Sequence, residues 1–119
     1  MVNSMRQILI KEAQDQNAML SGVIETGKYV VVEEFIEDME TGLEVMFEWR
    51  KHGYTVFRNN DKKFDIGEWY KDETDRIFDS VNELLDNYIL ATGEKLREVI
   101  TQVRVKSIYH RTGRGGRSV

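Results

Sequence analysis

The sequence predicts an α+β domain built from an N-terminal helix, a three-stranded antiparallel meander, a long amphipathic helix and a C-terminal strand. Three observations carry this prediction. Apolar residues recur at helical spacing in residues 4–21 and again from residue 65 onward. Between these stretches, residues 43–50 alternate apolar and polar side chains with the period of two that is typical of a half-buried strand.

The first predicted helix covers residues 4–21. Ser4 and Gln7 have the spacing of a capping box, in which two side chains satisfy backbone amides at the helix start. Gly22 stands where a helix commonly ends in a left-handed backbone conformation. The apolar positions between them repeat at helical spacing: Met5, Ile8, Leu9, Ala13, Met19 and Leu20.

Residues 28–58 fit two structures, and the choice between them decides the fold. Runs rich in β-branched and aromatic residues at 29–32, 43–50 and 54–57 are separated by turn-like segments. The same region also carries a helical stripe from Val32 to Phe47. Gly42 inside a helix would cost about 1 kcal/mol relative to alanine, and three consecutive valines start a helix poorly. We therefore favour the meander, with a mostly α-helical bundle as the alternative.

The second half of the chain predicts a long helix and then a strand. From Asp65 an apolar stripe runs at helical spacing to Gly93, with a break near Asp72. Residues 96–103 could continue a helix, but residues 103–109 alternate, which favours a short turn of helix followed by a strand. Residues 1–110 are thus predicted to form a single domain. Residues 111–119 contain three glycines and three arginines, and are predicted to be a disordered basic tail.

Charge is distributed unevenly along the chain. Residues 1–93 contain 19 acidic and 10 basic side chains, whereas residues 94–119 contain 7 basic and 2 acidic ones. The net charge of −4 therefore combines an acidic body with a basic end. Such asymmetry bears on partners and association kinetics rather than on the fold.

Composition excludes several kinds of chemistry. The chain has no cysteine, which rules out disulfides, thiolate nucleophiles and cysteine-based metal sites. Residues 22–28 fit a phosphate-binding loop only until Tyr29, where a small hydroxyl is required. Residues 61–72 miss the calcium-loop pattern at its third, sixth and twelfth positions. Neither His52 nor His110 lies in a metal-binding spacing, and His52 is expected to be solvated in a turn. We predict no catalytic residue, no metal and no cofactor.

The start of the chain carries no apolar leader, and no apolar run approaches the roughly 20 residues that span a membrane. We expect a cytoplasmic protein that does not insert into membranes.

An acidic segment is the strongest candidate for a binding surface. Seven acidic residues and no basic one lie between Glu33 and Glu48. Such a run is often only a solvated surface. The functional interpretation is a docking surface for a basic protein partner, with acids that accelerate association and apolar residues that supply contact. The predicted partner-binding residues are Glu33, Phe35, Glu37, Asp38, Met39, Glu40, Glu44 and Glu48.

The basic tail suggests two further partners. Arg111, Arg114 and Arg117 resemble one copy of an arginine-glycine RNA-binding element, although three arginines neutralise few phosphates. Opposite charges on identical chains also allow a homo-oligomer. The leading hypothesis is a small non-enzymatic regulator, inhibitor or assembly subunit, of the bacterial or phage accessory type, that binds another protein. The alternative is a nucleic-acid-associated protein that uses the basic C-terminal segment.

Overall fold

The computed structural model describes residues 27–110, and it shows that the predicted arrangement of strands and helices is wrong. These residues form one five-stranded antiparallel sheet with three short helices on one of its faces. The predicted helix at 4–21 and the predicted tail at 111–119 lie outside the described residues. In chain order the elements are α1 (Val32–Thr41), β1 (Leu43–Trp49), β2 (His52–Arg58), β3 (Phe64–Glu68), β4 (Lys71–Phe78), α2 (Val81–Asn87), α3 (Leu96–Val99) and β5 (Arg104–His110).

The first third of the predicted meander is a helix. Residues 32–41 form α1, whose Phe35 and Met39 are fully buried on one side. Gly42 ends this helix in a left-handed conformation with a φ of 91°, and its amide donates to the carbonyls of Asp38 and Met39. The penalty for glycine inside a helix therefore does not apply, because the helix stops at that residue.

The next two predicted strands are present as the hairpin of β1 and β2. Its turn was expected at residues 51–53, but it consists of Arg50 and Lys51, with φ values of 50° and 73°. Two-residue hairpin turns commonly require positive φ at both central positions, because that twist matches the strands. Gly53 was assigned to the turn, yet it lies within β2.

The predicted long helix from residue 65 is replaced by a hairpin and a short helix. Strands β3 and β4 pair through a two-residue turn at Trp69 and Tyr70. Helix α2 starts only after Ser80, whose hydroxyl accepts a hydrogen bond from the amide of Glu83 at 3.1 Å. Residues 71–78, which were predicted to belong to this helix, form β4 at the edge of the sheet. Charged side chains on an edge strand disfavour pairing with other chains.

The sheet has the strand order β4-β3-β2-β1-β5 and two unlike faces. Side chains alternate between the faces along each strand. The inner face packs against the three helices around one hydrophobic core, in which the Phe47 and Tyr54 rings stack with centroids 5.2 Å apart. The core side chains that the strands contribute are Leu43, Val45, Phe47, Tyr54, Val56, Phe64, Ile66, Val105 and Ile108.

The outer face is the opposite side of the sheet. Register places on it Glu44, Met46, Glu48, Gly53, Thr55, Phe57, Asp65, Gly67, Asp75, Ile77, Arg104, Ser107 and Tyr109. Helices α1, α2 and α3 all bury their apolar residues against the inner face, so none of them covers the outer face. Within residues 27–110, no helix is both long and apolar enough to span a membrane.

Candidate functional site

The predicted partner-binding residues do not form one surface. Phe35 and Met39 belong to the core and are fully buried. Asp38 is 2% exposed, and its Oδ2 accepts a hydrogen bond from the Tyr29 hydroxyl at 2.8 Å. Phe35 and Met39 pack α1 into the core, Asp38 binds it to the segment that precedes the helix, and none of the three presents a surface to a partner.

The remaining acidic residues of that set lie on two different sides of the molecule. Glu33, Glu37 and Glu40 are exposed on α1, which covers the inner face. Glu44 and Glu48 are half-buried on the outer face of β1. The tail residues Arg111, Arg114 and Arg117 lie beyond the described part of the chain. The acidic run of the sequence is thus divided between a helix surface and a sheet surface.

The outer face contains a pocket of about 180 Å³ between β2, β3 and β4. We call it the Trp69 pocket. The residues that line it are Thr55, Phe57, Asp65, Ile66, Gly67, Glu68, Trp69 and Asp75. Three of the eight are carboxylates, and none is lysine or arginine.

Trp69 is fixed in this pocket by contacts with β2. Its Nε1 donates a hydrogen bond to Thr55 Oγ1 at 2.9 Å, and its backbone amide donates to the carbonyl of Gly53 at 2.8 Å. A Cβ atom on Gly53 would overlap the ring at Cε3 of Trp69. Gly53 therefore allows the indole to lie directly against the strand, which explains a glycine inside β2.

The two other walls of the pocket carry the carboxylates of Asp65 and Asp75. Asp65 Oδ2 accepts a hydrogen bond from Asn59 Nδ2 at 2.8 Å, which holds this carboxylate in place. The carboxylate of Asp75 lies over Gly67, where a Cβ atom would overlap its Oδ1. The pocket thus brings negative charge and an aromatic ring together, a combination that favours a cation.

A second concave region, of about 700 Å³, lies between β4 and the segment that follows α2. Phe78, Tyr88 and Ile89 are among its lining residues. Burial raises the pKa of Tyr88 to about 12, and burial also raises the pKa of Tyr54 behind it. Both phenols are therefore neutral at physiological pH and do not act as bases.

Glu68 borders both concavities, and its charge is already satisfied by the protein. Its Oε2 lies 2.6 Å from His52 Nδ1 and 3.4 Å from Lys71 Nζ, and the side chain is 8% exposed. Burial raises the pKa of Glu68, but the hydrogen bonds from His52 and Lys71 outweigh it and lower the pKa below its ordinary value. The expectation that His52 is solvated in a turn is wrong, because it begins β2 and pairs with Glu68.

Comparisons with known proteins identify no relative: no family model matches the chain, and no curated protein or solved structure matches it. Across residues 27–110, no three histidine, aspartate or glutamate side chains stand close enough to hold a metal ion. The functional argument therefore rests on the geometry of the outer face.

Sequence reasoning missed Trp69 and Asp75 as site residues because it placed both in a helix. One signal pointed to them. Gly53 and Gly67 each stand close to strand-like alternation, and a glycine within a strand often marks a close approach of another group. Because Gly53 was predicted to lie in a turn and Gly67 in a helix, neither glycine was interpreted as a sign of the pocket.

Proposed function

We propose that this protein is a small non-enzymatic domain that binds a basic surface of another protein through the outer face of its sheet. One observation carries the proposal. The outer face places Glu48, Asp65 and Asp75 beside Trp69 and Ile77, and none of the three described helices covers it. Ile77 is 59% exposed there, directly across from Asp65.

This mixture of groups suits protein recognition. Aromatic and aliphatic side chains supply the desolvated contact of an interface, whereas surrounding carboxylates steer a basic partner and increase the association rate. The proposal retains the role of regulator, inhibitor or assembly subunit, the bacterial or phage accessory type and the cytoplasmic location that were predicted from the sequence. It moves the working surface from the whole acidic run to the outer face.

The test compares two variants that each lose three negative charges. The outer-face variant carries Glu48→Gln, Asp65→Asn and Asp75→Asn. The α1 variant carries Glu33→Gln, Glu37→Gln and Glu40→Gln and serves as the matched control. The partner is captured from the native host with the full chain, purified, and used in surface plasmon resonance with both variants.

We expect the outer-face variant to associate about tenfold more slowly at physiological salt, because electrostatic steering is lost. The difference should shrink in 0.5 M salt, where the screening length is only a few ångströms. Circular dichroism establishes that both variants remain folded. An equal loss of association rate in the two variants would contradict the proposal. Capture of a nucleic acid whose binding the outer-face variant leaves unchanged would also contradict it.

A further inference from the structure

The Trp69 pocket has the size and chemistry to recognise one particular side chain. We infer that it binds the guanidinium group of an arginine on the partner protein. This inference rests on the proposed function and names the group that the outer face recognises.

The volume of the pocket fits this ligand. A pocket of about 180 Å³ has room for a planar guanidinium and the methylene groups next to it. The pocket is open to the outer face, so a side chain can enter it while the partner backbone stays above the sheet.

Charge complementarity selects a cation. Asp65 and Asp75 project from neighbouring strands into the pocket. Within residues 27–110, the carboxylate of Asp75 forms no ion pair with a basic side chain. Asp65 is held by the neutral amide of Asn59, and no basic side chain of the described residues forms an ion pair with it either. A cation placed between them meets two carboxylates.

Geometry favours arginine over lysine. A guanidinium presents five N–H donors in one plane and can reach two carboxylates at once, whereas an ammonium is a compact charge with strong hydration. The plane also stacks on an aromatic ring, which the pocket supplies in Trp69. The same chain already uses this pairing elsewhere, because the Arg50 guanidinium lies over the Trp49 ring at 4.8 Å from its centroid.

Two of the three groups that would contact the ligand are fixed before it arrives. The Trp69 indole is anchored to Thr55, and the Asp65 carboxylate is anchored to Asn59, so these two side chains have little freedom to lose on binding. Gly53 and Gly67 let the Trp69 ring and the Asp75 carboxylate lie directly against the sheet, where they form two walls of the pocket.

The two tryptophans provide an internal control for a direct test. The full-length protein, labelled with ¹⁵N, is titrated with N-acetyl-arginine-N-methylamide while the two indole N–H signals are followed by NMR. A Trp49→Phe variant assigns the signals. We expect a saturable shift of the Trp69 signal with a millimolar dissociation constant and no shift of Trp49. The citrulline analogue, which keeps the shape without the charge, should produce no saturable shift.

Charge variants locate the binding group. Asp75→Asn should weaken binding of the arginine probe at least fivefold. Asp72→Asn is the matched control, since it removes the same charge from the same strand outside the pocket, and it should leave binding within twofold. Equal shifts of both indoles, equal effects of the two variants, or binding of the citrulline analogue would overturn the inference.

The outcome separates this inference from the proposed function. If the outer-face variant loses the partner but the arginine probe does not move Trp69, the proposed function holds and the arginine pocket is wrong. If the probe binds but the partner does not need the outer face, the proposed function fails. A third variant replaces Arg111, Arg114 and Arg117 with glutamine. If the Trp69 signal shifts in this variant without any probe, the pocket binds the chain's own tail, and the inference of an arginine on a partner protein is wrong.

Discussion

Trp49 and Trp69 occupy opposite faces of one sheet, and they differ in what surrounds them. On the inner face, Trp49 Nε1 donates to Glu94 Oε1 at 3.2 Å and the ring carries Arg50, so its chemistry is satisfied within the chain. On the outer face, the Trp69 indole N–H is bonded to Thr55, but three carboxylates and, among the described residues, no lysine or arginine line the pocket beside the ring. The inner face is built for stability, whereas the outer face presents groups that a ligand can satisfy.

The largest expected effect is the loss of stability when a charge is placed on the inner face. Val45 is fully buried between β2 and β5, so Val45→Asp places a charge in the core. This costs several kcal/mol against a net stability of about 5 to 15, and the domain should unfold. Thermal melting followed by circular dichroism measures it. Glu48→Gln, on the other face of β1, should change the midpoint by only a degree or two, and a folded Val45→Asp protein would contradict this assignment of faces.

The sequence predicted the β1–β2 hairpin and the C-terminal strand because alternation is a local signal in half-buried strands. It failed at residues 32–41, which form α1 rather than part of a meander, and again from residue 65 to residue 78. There Ile66, Trp69 and Tyr70 fit a helical spacing, and the charged edge strand β4 has no buried residue to reveal its period. The segment that forms β3 is a strand because it pairs with β2. The spacing of apolar residues within the segment does not reveal that pairing.

The candidate site was less predictable than the fold. The acidic run from Glu33 to Glu48 is visible in the sequence, but its division between α1 and the outer face depends on where α1 ends. Asp65 and Asp75 are ten positions apart in the sequence, and they line the same pocket only because β3 and β4 pair. The hydrogen bond between Asp38 and Tyr29 could not be predicted from the sequence, because it forms only in the folded structure.

A second prediction uses two glycines to sharpen the description of the outer face. Gly53→Ala drives a methyl group into the ring of Trp69, a rigid group tied to Thr55, and should cost about 1 to 3 kcal/mol. Gly67→Ala overlaps chiefly with the carboxylate of Asp75, which can rotate away, while the Asp75 Cα lies 3.3 Å from the new methyl group, and the change should cost less. Urea unfolding monitored by tryptophan fluorescence compares the two. A larger loss for Gly67→Ala would mean that Asp75, not Trp69, is the rigid wall.

The smallest expected effect concerns Glu68, the charged exception at the rim of the inner face. Its pKa is lowered in the folded protein, because the hydrogen bonds from His52 and Lys71 outweigh burial. A lowered pKa contributes stability above the ordinary value of 4.5, and this contribution is lost as the pH falls through the lower folded pKa.

Glu68→Gln should therefore destabilise the protein by about 1 to 2 kcal/mol at pH 7 and by less at pH 3. Urea unfolding at the two pH values measures the difference. Asp79→Asn is the control, since Asp79 pairs with Lys63 at an exposed site and should matter little at either pH. If Glu68→Gln lost the same stability at pH 3 as at pH 7, the side chain would act through packing alone. The His52–Glu68 pair would then contribute nothing to the free energy of unfolding, and the inner face would be stabilised by apolar contacts even at its rim.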